Sequence, residues 1–304
     1  MLTDDSTISQ QEATEIRAEA RRLLHDAGAI GLFPTPVDEI MRAAKIQVVP
    51  IVLDEGYLAQ LRRNAAQAGR LLLSALSKVW GVFDPKARVA YIDPETPKEK
   101  LPFLKLHEGG HAILPWQSIF GIFEDCRKTL DPEVKQQFER EANVFASEVL
   151  FQLDGFTIEA ADYAFGISVP LRLAKRYGAS LYATIRRYVC HSEKDCAVLV
   201  LNPAEFAETI GFSSSVRRVI ISPGFERRFS NITWPHAISP DDALGRLVPF
   251  KRMAGPRGLR LADSNGDRHE FVAEAFKTPH QVFILICAAK KAVPKIILPA
   301  HLVF

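Results

Sequence analysis

The chain has few cysteines: four among 304 residues, Cys126, Cys190, Cys196 and Cys287. Their spacing forms no framework of paired positions, which excludes a small secreted fold held by disulfides. We therefore predict reduced thiols. A second metal cluster of Cys190, Cys196 and the neighbouring His191 is a weaker interpretation than unrelated core and surface side chains.

Long apolar runs are absent as well. The longest strongly apolar stretch, Val282–Ala289, is far too short to cross a bilayer. The segment 1–30 is acidic and lacks the apolar run of a secretory leader. The sequence thus predicts no membrane association and a cytoplasmic location.

An excess of one charge is also missing, because 38 Lys and Arg face 36 Asp and Glu, for a net charge of +2. This balance excludes a polyanion binder in which the whole chain takes part. Bases do dominate from 216 to 260, and Arg186 and Arg187 add to them. Few aromatic residues alternate with these bases, so DNA binding is open but not favoured.

The most informative pattern that is present is His107-Glu108-Gly109-Gly110-His111, an H-E-x-x-H sequence on a predicted helix. Residues four apart lie on one helix face, so both histidines can bind one metal ion. Glu108 lies beside that face and can take a proton from a water molecule on the metal. The pattern predicts a mononuclear zinc hydrolase with Glu108 as the base. The alternative is a hydrogen-bonded pair of core histidines.

Two adjacent glycines argue against an ordinary core helix. Each costs about 1 kcal/mol in a helix interior relative to alanine, so stability alone does not explain Gly109 and Gly110. They suit a place that another backbone or a substrate approaches closely. An extended, hairpin-like segment, Trp80–Ile92, precedes the motif, and the helix has two candidate starts, near Pro97 and near Pro102.

A catalytic zinc needs a third protein ligand and an open position for water. The segment from Asp131 to Leu153 predicts a second helix with an apolar stripe. Three acids lie on or near that stripe: Glu139, Glu141 and Glu148. Spacing alone does not choose among them.

Together, the H-E-x-x-H motif and the segment Glu139–Leu150, E-R-E-A-N-V-F-A-S-E-V-L, resemble the ImmA/IrrE metallopeptidase family. That family carries H-E-x-G-H followed by E-x-E-A-N-x-F-A-x-x-L-L. The resemblance implies that zinc is bound by His107, His111 and Glu141, the acid of the E-A-N step, while Asn143 supports the site.

The resemblance extends to both sides of these motifs and implies an α+β fold in three parts. Residues 1–155 would form a zincin-like metallopeptidase domain, and residues 156–192 a helix-turn-helix-like helical segment. Residues 193–304 would form an α/β GAF-like domain, as in the longer, IrrE-type arrangement. A length of 304 residues suits two domains with a connecting segment.

The residues of the C-terminal part predict their own secondary structure. Strands are expected at Ala197–Leu201 and Val216–Ser222, with Val282–Ala288 as a buried central strand. Asn265-Gly266 lies between two further apolar runs and predicts a hairpin turn. Pro203–Ile210 is expected to be helical.

The family resemblance implies a zinc endopeptidase that cleaves a Cro/C1-type helix-turn-helix repressor and so relieves repression of stress-response or mobile-element genes. No repressor-like DNA-binding domain is predicted before the peptidase, so the target is expected to be a separate protein. The GAF-like domain would be a sensor of a small-molecule or stress signal, or a docking surface. Glu108 would pass its proton to the leaving amine, and Tyr91 and His191 are candidates for a further donor.

Two other classes of function stay open. One is a non-cleaving, metal-bound regulator that sequesters a repressor, against which the base Glu108 argues. The other is a direct DNA-binding regulator that uses the modestly basic segment Arg172–Arg187. As for the metal, two histidines and a carboxylate also suit iron, and manganese is open too, but the H-E-x-x-H helix favours zinc.

Overall fold

The computed structural model of the chain describes residues 2–3, 8–51, 81–85, 87–117, 132–207, 211–249 and 251–289. These residues belong to two compact units: a first unit of residues 4–188, and a second unit of residues 1–3 with 189–304. Both units contain helices and strands, so the predicted α+β class is confirmed. Cys126 and the predicted helix start at Asp131 lie outside the described residues.

The first unit opens with two helices and a small sheet. Its elements, after the two-residue strand β1 (Leu2–Thr3) of the second unit, are α1 (Gln10–Asp26), α2 (Val37–Ala43), β2 (Gln47–Pro50), β3 (Gly81–Asp84) and β4 (Val89–Ile92). β4 lies in the middle, parallel to β2 and antiparallel to β3. The predicted hairpin before the H-E-x-x-H motif is therefore confirmed over its described residues.

Further described helices of the first unit are α3 (Leu101–Ile113), α4 (Pro132–Leu150), α5 (Gly155–Ala161), α6 (Ser168–Tyr177) and α7 (Leu181–Cys190), whose last two residues belong to the second unit. The motif helix α3 starts just before Pro102, where a missing N–H costs no hydrogen bond. Of the two predicted starts, the structure thus has the later one. α3 packs against α4, against α2 and against the hairpin of β3 and β4.

The two glycines of the motif let α3 approach its neighbours closely. A Cβ on Gly110 would lie 3.3 Å from the Ala142 Cα of α4 and 3.2 Å from Phe145 Cδ1. A Cβ on Gly109 would lie 3.0 Å from Met41 Sδ of α2. Close approach was the predicted reason for the pair, and the neighbours turn out to be two helices of the same unit.

The second unit is built on an antiparallel sheet. Its elements are β5 (Cys196–Leu201), β6 (Glu205–Ala207), β7 (Gly211–Ile221), α8 (Pro223–Phe229), β8 (Ala237–Ile238), β9 (Met253–Ala262), β10 (Arg268–Lys277) and β11 (Val282–Ala288). The main strands lie in the order β7-β5-β11-β10-β9, with β1 parallel to β7 at the edge. β11 is central, as predicted, and β9 and β10 form the predicted hairpin around Gly266.

One prediction for this unit is wrong. The segment from Pro203 was expected to be helical, but Glu205–Ala207 forms β6, which pairs with the start of β7 in a tight hairpin. The apolar pattern of this segment is too short to favour a helix strongly, and hydrogen bonding to β7, which is part of the sheet, favours a strand instead. Residues 208–210, the rest of that prediction, lie outside the described residues.

The core of the second unit is apolar. Side chains from one face of the sheet pack with Phe225 and Phe229 of α8 and with Leu244 and Leu247 of the following segment. Within the described ranges, none of the helices is both long and apolar enough to cross a membrane.

Candidate metal centre

The two motif histidines and one carboxylate of α4 lie together. His107 Nε2 is 3.3 Å from Glu139 Oε2, and His111 Nε2 is 3.7 Å from Glu139 Oε1. The three ligand atoms all lie within 4.8 Å of one another. The pair follows from the spacing of α3, whereas Glu139 is supplied by the packing of α4 against it.

A second acid, Glu108, lies close to this group. Its side chain is buried, with 6% of its surface exposed. Burial lowers the pKa of His107, but the hydrogen bond to Glu139 and the charges of Glu108 and Glu139 outweigh it, and Asn143 adds a further hydrogen bond, so the pKa is raised overall. The pocket around His107 is therefore electrostatically negative and favours a cation.

Gly81 of the edge strand β3 makes room for the Glu108 side chain. A Cβ on Gly81 would lie 2.8 Å from Glu108 Oε1, closer than such contacts normally come. The absence of a side chain at position 81 thus allows the carboxylate to occupy its place. Nothing in the sequence pattern marks this glycine, because the contact joins a strand and a helix.

Glu141, the ligand that the family resemblance implied, forms hydrogen bonds with side chains other than the two histidines. Its Oε2 accepts hydrogen bonds from Trp116 Nε1 at 2.7 Å and Gln117 Nε2 at 2.6 Å, and its Oε1 accepts one from Gln137 Nε2 at 3.1 Å. Among the described residues, the carboxylate that joins the two histidines is that of Glu139. Glu141 reaches His111 indirectly, since Gln117 Oε1 lies 2.7 Å from His111 Nδ1.

The third acid on the stripe, Glu148, pairs with Arg187. Arg187 Nη1 lies 2.7 Å from Glu148 Oε1, and the side chains are 1% and 5% exposed. Arg187 Nη2 also donates to the Leu153 carbonyl. In the open alternative of DNA binding through the segment 172–187, Arg187 would make no direct contact, because its guanidinium is buried and paired with Glu148.

The weaker prediction of a second metal cluster finds no support among the described residues. The one group there that could hold a metal ion includes none of Cys190, His191 and Cys196. Cys190, Cys196 and Cys287 form no disulfide, and burial raises the pKa of Cys196 to about 12. Tyr91, a candidate donor, lies on β4 with 37% of its surface exposed.

The residues at this centre fit a divalent metal. Ligand atoms around a tetrahedral zinc, each about 2 Å from the metal, lie about 3.3 Å apart. The two imidazole-to-carboxylate distances, 3.3 Å and 3.7 Å, are close to that spacing. Two neutral nitrogens and one carboxylate oxygen are also the ligand set of many catalytic zinc sites.

Comparison with known families agrees with this geometry. Residues 75–188 match the family model of the IrrE N-terminal-like domain, Peptidase_M78. This segment is an M78 domain. The match includes both α3 and α4, and so all four groups at the centre, and the predicted relation to IrrE-type peptidases and the zincin-like fold are confirmed.

Other comparisons say less. No curated protein matches the chain. Among solved structures, a Mycobacterium tuberculosis transcriptional regulator is similar, with 13% sequence identity and a TM-score of 0.49 over 90% of this chain and 87% of that chain. The M78 match lies entirely within the first unit, which also contains the candidate metal centre.

Proposed function

We propose that this protein is a zinc-dependent endopeptidase whose substrate is a separate helix-turn-helix transcriptional repressor of the Cro/C1 type. The observation that carries the proposal is the convergence of His107, His111 and Glu139 beside the buried Glu108. A site that only binds metal needs no such base. The M78 match supports the peptidase class, and IrrE-type relatives suggest the regulatory target.

We assign the third ligand to Glu139 rather than Glu141. Glu139 faces both Nε2 atoms, whereas three hydrogen-bond donors already occupy the Glu141 carboxylate. The exposed fraction supports the same choice, because Glu139 is 52% exposed at its side chain and can turn towards an ion, and Glu141 is 2% exposed and fixed.

Bound zinc would polarise the scissile carbonyl and acidify a water molecule. Glu108 takes the proton of the attacking water and passes it to the nitrogen of the leaving amine, so that one C–N bond is exchanged for one C–O bond. The carboxylate is held for this task by its position on α3 and by the space at Gly81. His107 and His111 keep their Nε2 atoms directed to one point.

The test uses the purified, zinc-loaded chain and the Cro/C1-type repressor encoded nearest to its gene. We expect a single cut in the repressor, no cut with Glu108→Gln, and loss of zinc with Glu139→Ala but not with Glu108→Gln. Electrophoresis, mass spectrometry and metal analysis give the three readouts. Release of the repressor from DNA without a cut, unchanged in Glu108→Gln, would establish the sequestering regulator instead.

A further inference from the structure

Gln117, which follows α3, contacts His111 at Nδ1, the ring nitrogen opposite the one that faces Glu139. It is 4% exposed, and its Oε1 lies 2.7 Å from His111 Nδ1. Its Nε2 lies 2.6 Å from Glu141 Oε2 and 3.1 Å from the Phe138 carbonyl. Both of these partners only accept hydrogen bonds, so the NH2 group must point to them and the amide oxygen must point to His111.

This orientation decides the state of His111. Because an amide oxygen only accepts, Nδ1 of His111 must carry a hydrogen and donate it to Gln117. In the neutral ring the Nε2 lone pair is then free on the side of Glu139, which is the form that binds a metal. The amide of Gln117 thus selects both the tautomer and the direction of the ring.

Glu141 holds Gln117 in place. The buried carboxylate accepts from Trp116, Gln117 and Gln137, so its charge is compensated by three donors. Gln137 Nε2 also donates to Glu12 Oε1, at 2.6 Å, and Glu12 belongs to the capping box of α1. A continuous row of hydrogen bonds therefore links the start of α1 to His111.

We propose that Gln117 is the positioning residue of His111 and that Glu141 is its anchor, not a metal ligand. The inference rests on the proposed metal site and adds to it the group that prepares one ligand. Outer partners of metal-binding histidines fix ring orientation, and their loss typically lowers metal affinity 10- to 100-fold.

The test measures zinc affinity by competition with a chromogenic chelator in the full chain. We expect Gln117→Leu and Glu141→Gln each to weaken zinc binding about 10- to 100-fold. In the double variant Gln117→Glu/Glu141→Gln the carboxylate and the amide exchange places, so an acceptor faces His111 again and the affinity returns to within about threefold of the original chain.

Gln152 provides a matched control, because it is 8% exposed, donates to the Leu32 carbonyl at 2.7 Å and is not part of the centre. Gln152→Leu should lower the melting temperature but leave zinc affinity unchanged. Equal zinc affinity in the original chain and in both single variants would overturn the role of Gln117, as would an equal loss in Gln152→Leu. A chain that binds no zinc at all would overturn the metal site itself. A shape-conserving change, Glu141→Gln, keeps the test decisive if Gln117→Leu fails to fold.

The second unit contains a groove with a volume of about 1000 Å³. It lies at one end of the sheet, where β10 ends and β11 begins. Among the described residues, its wall includes apolar side chains such as Phe212 and Val282, and four cationic ones, Arg246, Lys251, Arg252 and Lys277, but no acid. Three of these bases belong to the basic stretch 216–260 of the sequence, which the metal centre does not use.

Within the described part of the chain, none of Arg246, Lys251 and Arg252 has an ion-pair partner. The Arg252 guanidinium lies 5.2 Å from the centre of the Phe276 ring, which restricts its position. By contrast, other bases of the second unit are paired, such as Arg228 with Asp195 and Arg260 with Glu270.

We infer that this groove binds a small organic anion, whose apolar body packs on Phe212 and Val282 while its acidic group pairs with the bases Arg246, Lys251 and Arg252. The lining has the usual composition of a ligand site, mostly apolar with a few polar groups that fix orientation. Charge complementarity selects the anion, because a cation or a neutral ligand would leave the bases unpaired.

The test compares two dyes of matching shape, the anionic 8-anilinonaphthalene-1-sulfonate and the neutral N-phenyl-1-naphthylamine. In the triple variant Arg246→Gln/Lys251→Gln/Arg252→Gln, we expect the dissociation constant of the anionic dye to rise at least tenfold and that of the neutral dye to change less than twofold. Displacement of the anionic dye by benzoate or by adenosine monophosphate would support the site and show which acidic group it prefers.

The control variant Arg217→Gln/Arg227→Gln/Arg268→Gln removes three exposed bases of the same unit outside the groove. It should leave both dissociation constants unchanged. If both triple variants weaken binding of the anionic dye equally, the net charge of the protein explains the effect, and the proposed site is overturned. Absence of dye binding by the original chain, with native circular dichroism, would overturn it too.

Discussion

Among the described residues, the interior of the first unit contains four charged side chains, whereas that of the second unit contains none. The four are Glu108, Glu141, Glu148 and Arg187. The buried polar side chains of the second unit are two serines, Ser214 and Ser222, each hydrogen-bonded to backbone. Burial of a charge is costly unless the charge is paired. The buried charges of the first unit therefore need partners, and two of them, Glu108 and Glu141, lie beside the candidate metal centre.

The buried charges of the first unit are of two kinds. Glu148 and Arg187 compensate each other and connect two helices. Glu108 and Glu141 instead lie beside the candidate metal centre: Gln117 donates to Glu141, and the charge of Glu108 contributes to the raised pKa of His107. Three experiments test whether this division is correct.

The largest effect is expected from Arg187→Met. Among the described residues it leaves the buried Glu148 with Arg17, at 3.6 Å, as its remaining ion-pair partner, so the free energy of unfolding of the first unit should fall by about 3–5 kcal/mol. The double variant Arg187→Met/Glu148→Leu should recover most of that loss. Arg260→Met, which breaks an exposed pair of the second unit, is the control and should cost less than about 1 kcal/mol in denaturant unfolding. Equal losses in the two single variants would contradict the distinction.

A smaller effect, and one on rate, is expected from Gly81→Ala. The new methyl group would displace the Glu108 carboxylate from its place beside Gly81, and a shift of about 1 Å in a catalytic group lowers a rate by up to about 100-fold. Zinc affinity should stay within about twofold, since Glu108 is not a proposed ligand.

The matched glycine is Gly258 on β9, where an added Cβ meets nothing within 4 Å. Gly258→Ala should leave the cleavage rate unchanged and slightly stabilise the strand. If Gly81→Ala cleaves the repressor at the original rate, the space at Gly81 has no part in placing the base.

The smallest effect is expected from Ser222→Ala in the second unit. Ser222 caps α8, since its Oγ accepts from the Phe225 and Cys196 N–H groups and donates to the Lys194 carbonyl. Loss of this fully buried hydroxyl should cost about 1–2 kcal/mol in thermal or denaturant unfolding. Ser9→Ala removes the exposed cap of α1 and should cost less. A larger loss at Ser9 would show that burial does not decide the cost.

Much of the fold was predictable because it depends on short-range patterns. Alternating and continuous apolar runs predicted β5, β10 and β11, and Asn265-Gly266 predicted the hairpin between β9 and β10. The helix α1 follows from its apolar spacing and from Ser9 and Glu12, which form its capping box. Pairing between distant segments overrode the local pattern at β6, where a strand replaced the expected helix.

The candidate site was predictable only in part. His107, Glu108 and His111 follow from the spacing of a single helix. The choice among Glu139, Glu141 and Glu148 depends on the rotation of α4 about its own axis, which is set by the contact of Gly110 with Ala142 and Phe145. That rotation turns Glu139 and Asn143 to the histidines and directs Glu141 and Glu148 into the interior.

The sequence by itself predicted the two histidines of α3 as candidate metal ligands, and it determined the α+β class and the strand hairpin before the motif. These properties depend on the period of a helix or a strand, which is local. Only the tertiary structure decided that Glu139 is the acid beside the histidines, that Gln117 lies behind His111, and that Gly81 gives Glu108 its space. Each of these depends on the distance between side chains from different elements, and packing rather than periodicity fixes that distance.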